Sequence, residues 1–323
     1  MSFDRRGFLK SVSAGAIGLG TASTINGANP AFTNQPRQTQ QEPLQVASSP
    51  VFNWGLAAYS FKPHFEFYKG KKSKNGPLDG RRIDMFGFID YCAQQKCAAE
   101  LTSYFFPPDA DKRYFRKLKR YAFLNGVPIV GTAIGNNFTI ERGEELDKQI
   151  ADAKLWIERA AQLGAPHIRF FAGRRKELEA NPETMGIAIE SLQTCVNYAA
   201  EFGIFVGVEN HGKLTADQVL KIVNGVDSEW FGVNLDTGNF VSEDPYAEIT
   251  KCAPFAVNVQ VKVKMKNEAN EKYEPDLPRI AKIFTNANYR GNVVMEYEEE
   301  KPFENVPAAL ERMRACFTRK KGQ

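Results

Sequence analysis

The chain has 323 residues, of which 43% are hydrophobic and 25% are charged, as in ordinary soluble globular enzymes. Its net charge of +4 is spread along the whole sequence, and no basic stripe with interleaved aromatic residues predicts nucleic-acid binding. The five cysteines include no CxxC pair of the kind that binds zinc or serves redox chemistry, so we interpret them as buried small hydrophobic residues.

The N-terminal region has the pattern of a targeting segment. An arginine pair, Arg5-Arg6, precedes a Gly- and Ala-rich apolar stretch over residues 12–22. This resembles a twin-arginine export signal, and the stretch is too short to cross a bilayer in the mature protein. We expect residues 1–30 to be the signal, residues 31–50 a disordered linker and residues 319–323 a tail. The resemblance implies a periplasmic or other extracytoplasmic location without stable membrane insertion, and the alternative is a chance arginine pair before a flexible leader.

After residue 51, short β-forming runs alternate with amphipathic helical patterns. The predicted strands are residues 53–61, 98–106, 128–136, 167–173, 204–211, 231–239, 256–264 and 292–298. Predicted helices include residues 85–95, 145–163, 183–202, 275–284 and 306–317. Helix-stop glycines precede the third, fourth and fifth strands, at Gly126, Gly164 and Gly203. Eight such units over about 270 residues predict one α/β domain, a (β/α)8 TIM barrel over residues 51–318.

Two further features of this region bear on the fold. No GxGxxG follows the first strand, which disfavours a dinucleotide-binding fold. A Lys- and Gly-rich insert at residues 64–82 follows the first strand. We expect it to form a mobile loop over the barrel mouth, with a plain solvated excursion as the alternative.

Side-chain parity places polar residues inside the barrel. In the seventh strand, valines at 257, 259, 261 and 263 alternate with polar residues, so the valines face the helices and Gln260 and Lys262 point inward. The same parity turns Glu209, Asp236 and Glu296 toward one volume at the C-terminal face, where barrel enzymes carry their active sites.

Three carboxylates directed at one volume need compensation by positive charge. Without it their pKa values would rise steeply, and a divalent metal is the simplest compensation. The alternative is that each acid pairs separately with a basic residue such as Lys262 or Arg169.

Four short segments carry a family resemblance. They are Val208-Glu209-Asn210-His211, Asn234-Leu235-Asp236-Thr237-Gly238-Asn239, Gln260-Val261-Lys262 and Val294-Met295-Glu296-Tyr297. They resemble the metal motifs of the xylose-isomerase-like sugar phosphate isomerase/epimerase superfamily, and the resemblance covers nearly the whole chain after residue 50. It implies one divalent ion bound by four residues, namely Glu209, Asp236, Gln260 and Glu296. The family usually has histidine at the position of Gln260, and the resulting oxygen-only set favours Mn²⁺ or Mg²⁺, with Zn²⁺ or Co²⁺ as alternatives.

The resemblance also implies a reaction on a small-molecule carbohydrate. The metal would stabilise an enediolate while Glu209 and Glu296 remove and return a proton at a carbon next to a carbonyl. Return to the other face of the same carbon gives epimerisation, and transfer to the neighbouring carbon gives isomerisation. Lys262 would donate to a substrate oxygen or balance the charge of the acids.

Five further residues are candidates for substrate binding, namely His211, Asn239, Arg169, His64 and Glu100. His211 would contact substrate, orient a ligand or only cap the chain. Asn239 stands where several ketose epimerases of the family carry a histidine. Arg169 and Glu100 point inward, and an Arg–Glu pair that fills the barrel is their alternative role. His64 lies in the insert and would close over a sugar.

Two other functions stay open. One is a metal-dependent lyase or hydrolase of keto-glycosides, which would use the same acid–base pair. The other is a sugar-binding barrel without turnover, which Gln260 favours and the presence of both Glu209 and Glu296 disfavours. The DNA-repair branch of the superfamily binds several zinc ions through many histidines and is disfavoured, because this chain has 3 histidines. Many relatives form dimers or tetramers, so a homo-oligomer is possible.

Overall fold

The computed structural model describes residues 52–73 and 79–317. The predicted export signal, linker and tail lie outside the described residues, as do residues 74–78 of the insert.

Eight parallel strands close the barrel in the order β1-β12-β9-β8-β7-β6-β5-β4. Their bounds are β1 Phe52–Ala57, β4 Ala98–Thr102, β5 Ile129–Ala133, β6 His167–Phe171, β7 Phe205–Glu209, β8 Phe231–Asp236, β9 Ala256–Lys262 and β12 Gly291–Glu296. Two short hairpins pair β2 Phe67–Tyr68 with β3 Lys71–Lys72, and β10 Met265–Lys266 with β11 Lys272–Tyr273. The predicted (β/α)8 TIM barrel is confirmed.

Helices follow the strands and pack outside them. Their bounds are α1 Met85–Gln94, α2 Lys112–Leu124, α3 Glu144–Leu163, α4 Arg175–Ala180, α5 Glu183–Ala200, α6 Ala216–Gly225, α7 Pro245–Cys252, α8 Leu277–Asn286 and α9 Pro302–Phe317. Side-chain caps fix several starts: Asp111 accepts hydrogen bonds from backbone amides of α2, and Thr215 forms a capping box with Gln218 at α6. Gly164 ends α3 with a φ of 74°, which favours glycine. None of the helices within residues 52–73 and 79–317 combines the length and apolar character that a bilayer crossing requires.

The predicted strands all extended too far at their C-terminal ends. The first strand was predicted to reach residue 61, but the chain turns into a 3₁₀ helix over Ala58–His64, and a second 3₁₀ turn covers Ser103–Phe105 after β4. The largest overextensions follow β1 and β4, where aromatic residues such as Tyr59 and Tyr104 favour a strand by composition. Their side chains form the mouth of the barrel instead of continuing the ladder.

The barrel interior is filled by side chains. Ala57, Ala98, Val130 and Val294 form a buried apolar cluster separate from the main core between strands and helices. His167 packs close to β7, because a Cβ added at Gly207 would lie 2.5 Å from Nε2 of the imidazole. The interior is therefore a packed core, as is typical of this barrel fold.

Candidate active site

A closed network of amides and one carboxyl group lies inside the barrel. Nε2 of Gln260 donates to Oε1 of Glu100 at 2.8 Å, and Oε1 of Gln260 accepts from Nδ2 of Asn234 at 2.7 Å. Nδ2 of Asn258 donates to Oε2 of Glu100 at 3.2 Å and to Oδ1 of Asn234 at 2.8 Å. Burial and the nearby Glu296 carboxylate raise the pKa of Glu100 to about 7. Both ends of the Gln260 amide are thus used by other interior residues.

Glu209, at the end of β7, is held by three neighbours. Its Oε2 lies 2.7 Å from Nε of Arg169 in a buried ion pair, and its Oε1 accepts from Nδ2 of Asn239 at 2.7 Å. Nδ1 of His211 is 3.2 Å from the same Oε1, and the imidazole stacks on Phe171 at 4.0 Å between ring centroids. Burial alone would raise the pKa of Glu209, but the charges of Arg169 and His211 outweigh it and lower the pKa to about 2. Glu209 is therefore a fixed, ionised carboxylate.

The predicted alternative, an ion pair between Arg169 and Glu100, is wrong. Arg169 forms its ion pair with Glu209, whereas Glu100 is bonded by the amides of Gln260 and Asn258. The barrel interior thus separates a charged pair near the mouth from a network of amides around the Glu100 carboxyl group.

A second charged group surrounds the ammonium of Lys262, at the end of β9. Nζ donates to Glu296 and, at 2.8 Å, to Glu298, and it lies 3.3 Å from Oδ2 of Asp236. Burial raises the pKa of Glu296 despite the opposing charge of Lys262, and burial likewise raises the pKa of Asp236. The charges of Asp236, Glu296 and Glu298 outweigh burial and raise the pKa of Lys262. Lys262 therefore balances the acids, which was one of its two predicted roles.

These two charged groups border one open cavity of about 290 Å³ at the mouth. Six of the predicted site residues line it: Arg169, Glu209, His211, Asn239, Lys262 and Glu296. Asp236, Gln260 and Glu100 do not line it, although all three are buried inside the barrel. His64 also lies away from it: Nδ1 is 2.9 Å from the carbonyl oxygen of Arg81, and the ring borders a second cavity of about 920 Å³.

Sequence reasoning missed the aromatic wall of the mouth cavity. Tyr59, Tyr68, Tyr104 and Phe171 line it, and Tyr104 lies 6.3 Å from Tyr59 and 5.9 Å from Tyr68 between ring centroids. The backbone amide of Lys69, in the turn of the β2–β3 hairpin, donates to the carbonyl oxygen of Tyr104 at 2.7 Å. Tyr59 and Tyr104 follow β1 and β4 by two residues each, so correct strand ends would have pointed to both.

The donor set that was predicted for a metal fits a cation by its chemistry. Asp236 and Glu296 flank an ammonium, and in the described part of the chain the buried Oδ2 of Asp236 has no hydrogen bond beside its 3.3 Å ion-pair contact with Nζ of Lys262. Glu209 and Gln260, however, are bonded to other partners. Within residues 52–73 and 79–317, no three His, Cys, Asp or Glu side chains are spaced as ligands of one ion. The four residues lie on adjacent strands without forming a coordination shell, and metal binding stays a prediction.

The family model of the xylose isomerase-like TIM barrel matches residues 88–316. The chain belongs to this family. No curated protein matches this member of the family by sequence.

Solved structures with the xylose isomerase-like fold are similar to the chain over most of its length. A xylose isomerase domain protein from Planctomyces limnophilus is 14% identical, with a TM-score of 0.61 over 84% of this chain and 98% of that one. D-psicose 3-epimerase from Clostridium cellulolyticum H10 is 15% identical, with a TM-score of 0.64 over 83% and 100%. The 3-keto-D-glucoside 4-epimerase from E. coli is 14% identical, with a TM-score of 0.59 over 82% and 100%. At such identities the likeness establishes the fold.

Proposed function

We propose that the protein is a carbohydrate isomerase or epimerase that transfers a proton at a carbon next to a carbonyl group. The observation that carries the proposal is that two buried glutamates, Glu209 and Glu296, line the same mouth cavity as two buried cations, Arg169 and Lys262. Carboxylates of this kind move protons, and fixed cations stabilise negative charge as it develops on oxygen. The family and its epimerase neighbours support a sugar as substrate.

The two glutamates have different roles in this proposal because their surroundings differ. Both oxygens of Glu209 are engaged by Arg169 and Asn239, and its lowered pKa makes it a weak base. Glu296 has one engaged oxygen and a raised pKa, so we propose that Glu296 takes the proton from carbon. In isomerisation Glu296 would return this proton to the neighbouring carbon. In epimerisation Glu296 would release it to water, and Glu209 would pass a proton from water to the opposite face of the same carbon. Environments that push the pKa values of two acids apart are typical of acid–base pairs. Lys262, whose ammonium also contacts Glu298, would donate to the substrate oxygen on which charge develops.

The proposal includes a divalent ion, Mn²⁺ or Mg²⁺, held by Glu209, Asp236, Gln260 and Glu296. When bound, it would act as a Lewis acid toward substrate oxygen atoms. The aromatic wall of Tyr59, Tyr68 and Tyr104 would pack against the apolar face of a sugar ring, and His211 and Asn239 would hold the carboxylate of Glu209 in place. Export by the twin-arginine route is part of the proposal, and it favours substrates without phosphate.

A second candidate, a lyase acting on keto-glycosides, is favoured by the cavity beside the mouth. That cavity of about 920 Å³ shares Tyr59 and Glu298 with the mouth cavity, so it offers space for a second unit attached to the reacting sugar. The same deprotonation followed by β-elimination would then release the attached group.

The test is solvent deuterium exchange into ketoses and keto-glycosides, followed by NMR in D₂O, with metal analysis of the purified protein. We expect exchange by the wild type, and a loss of about 10²–10⁴-fold in Glu296→Gln, as for removal of a general acid–base group. Glu209→Gln should lose epimerisation, because Glu209 would pass the returning proton to carbon. Glu311→Gln, an exposed glutamate of α9 that lines neither cavity, is the matched control and should keep full activity.

Product analysis decides between the two candidates, because elimination releases a free aglycone and epimerisation does not. Exchange that persists in Glu296→Gln would overturn the assignment of the base. Absence of exchange into every sugar that the protein binds would overturn the enzymatic proposal in favour of a binding protein.

A further inference from the structure

One ammonium stands among three carboxylates at the mouth of the barrel. Nζ of Lys262 contacts Glu296, lies 3.3 Å from Oδ2 of Asp236 and lies 2.8 Å from Oε2 of Glu298. The side chains of Lys262, Asp236 and Glu296 are 9%, 0% and 7% exposed, whereas Glu298 is 46% exposed. The ammonium thus has two buried anionic partners and one at the surface.

The two buried partners are also two of the four residues proposed to hold a divalent ion. A cation that contacts Asp236 and Glu296 together occupies the region that their carboxylates share. A divalent ion placed there would meet the positive charge of Lys262 at short range in a poorly solvated interior, where repulsion between like charges is strong. The two cations are therefore mutually exclusive as the side chains stand.

The remaining residues do not relieve this conflict. Glu209 is already neutralised by Arg169, and both ends of the Gln260 amide are bonded to Glu100 and Asn234. An ion that displaced Lys262 would thus rely chiefly on Asp236 and Glu296 until the other two side chains turned. Glu298 offers the displaced ammonium a place to go, because the two groups are in contact and Glu298 reaches the surface.

We propose that Lys262 is a built-in cation that competes with a divalent metal for Asp236 and Glu296, and that its transfer to Glu298 admits the metal. The inference rests on the metal-binding part of the proposed function and is independent of which reaction the site catalyses. The position of the Lys262 side chain would then determine whether the metal binds. The full chain would bind divalent ions more weakly than its carboxylates alone would.

The test is equilibrium binding of Mn²⁺ to the full chain, with free Mn²⁺ measured by electron paramagnetic resonance and folding checked by circular dichroism. We expect Lys262→Met to bind Mn²⁺ roughly 10–100-fold more tightly than the wild type, the range that substitutions beside metal sites produce. Lys264→Met is the matched control, because this lysine lies two residues further along and pairs with Glu274 at 2.5 Å. Its Mn²⁺ affinity should equal that of the wild type. Adding Asp236→Asn to Lys262→Met should abolish the gain.

A second pair of variants tests the proposed transfer without altering a buried residue. Glu298→Gln removes the surface partner of Lys262, so Mn²⁺ should bind more weakly than to the wild type. Glu299→Gln changes net charge equally but pairs with Lys272, so its affinity should change less. Equal Mn²⁺ affinity in wild type and folded Lys262→Met would overturn the inference, as would equal effects of the two glutamate substitutions. If neither the wild type nor Lys262→Met binds Mn²⁺, the inference fails, while deuterium exchange still decides the proposed function separately.

Discussion

Nε of Arg169 lies 2.7 Å from Oε2 of Glu209, and each side chain is only 5% exposed. Two strands that are neighbours in the barrel, β6 and β7, thus bring opposite charges together in a region that excludes water. The fold needs both charges, because either one alone would be buried without a compensating charge.

Arg169→Met should therefore destabilise the protein strongly. We expect a loss of about 3–5 kcal/mol in the free energy of unfolding, measured by urea denaturation, because the Glu209 carboxylate is left buried and unpaired. Adding Glu209→Gln should recover part of that loss. Arg175→Met is the control, since the pair of Arg175 with Glu179 at 2.6 Å is exposed and should contribute about 1 kcal/mol or less. Equal losses for the two arginines would contradict the buried-pair interpretation.

Gly207→Ala should also destabilise the barrel, by crowding its interior. An added Cβ would lie 2.5 Å from Nε2 of His167 and 2.9 Å from Cβ of Asn234, and overpacking of this kind costs about 1–3 kcal/mol. Gly186→Ala in α5 is the opposite case, because among the described residues no atom lies within 4 Å of the added Cβ. It should leave stability unchanged or raise it by up to about 1 kcal/mol. Thermal melts of the two variants measure the difference, and a stable Gly207→Ala would show that the interior is looser than described.

His167 should make the protein acid-sensitive. Burial, helped by the charge of Arg169, lowers the pKa of His167 to about 3, and in the described part of the chain neither ring nitrogen has a hydrogen-bond partner. The unfolded chain binds a proton near pH 6.5 while the folded chain does not, so stability is complete above pH 6.5 and falls as the pH drops toward 3. The slope from this group is at most about 1.4 kcal/mol per pH unit.

Urea unfolding of the wild type and of His167→Leu between pH 7 and pH 4 checks this prediction. The variant lacks the titrating group, so its free energy of unfolding should fall less steeply than that of the wild type over the same range. Parallel curves for the two proteins would mean that His167 is already protonated in the fold or accessible to solvent.

The inward positions of Glu209, Glu296 and Lys262 were predictable from sequence because strand alternation is a local property with a period of two residues. Their partners were not predictable in this way. Whether Arg169 would pair with Glu209 or with Glu100 depends on distances between strands far apart in the chain. The engagement of Gln260 by Glu100, 160 residues away along the chain, is equally non-local.

The ends of the strands were also predicted incorrectly, because local propensity does not show where the hydrogen-bonded ladder of the barrel stops. Tyr59 and Tyr104 suit a strand by propensity, but the barrel closes before them and the chain turns. Tyr59 and Tyr104 of the aromatic wall lie in those turns, so the error in strand length also left the wall unpredicted. The insert after β1 was expected over the mouth, and Tyr68 and Lys69 do line the cavity there.

The hydrogen bond between the Lys69 amide and the Tyr104 carbonyl attaches the β2–β3 hairpin to the turn after β4, the strand beside β1, and the side chains of Tyr68 and Lys69 also contact the Tyr104 ring. The backbone hydrogen bond does not depend on which side chain stands at residue 69, so it can persist when other hairpin residues change. The exposed hairpin residues Lys71 and Lys72 can therefore change without disturbing the charged groups at the strand ends. Under the proposed function, the hairpin could thus evolve separately from the residues that would transfer the proton.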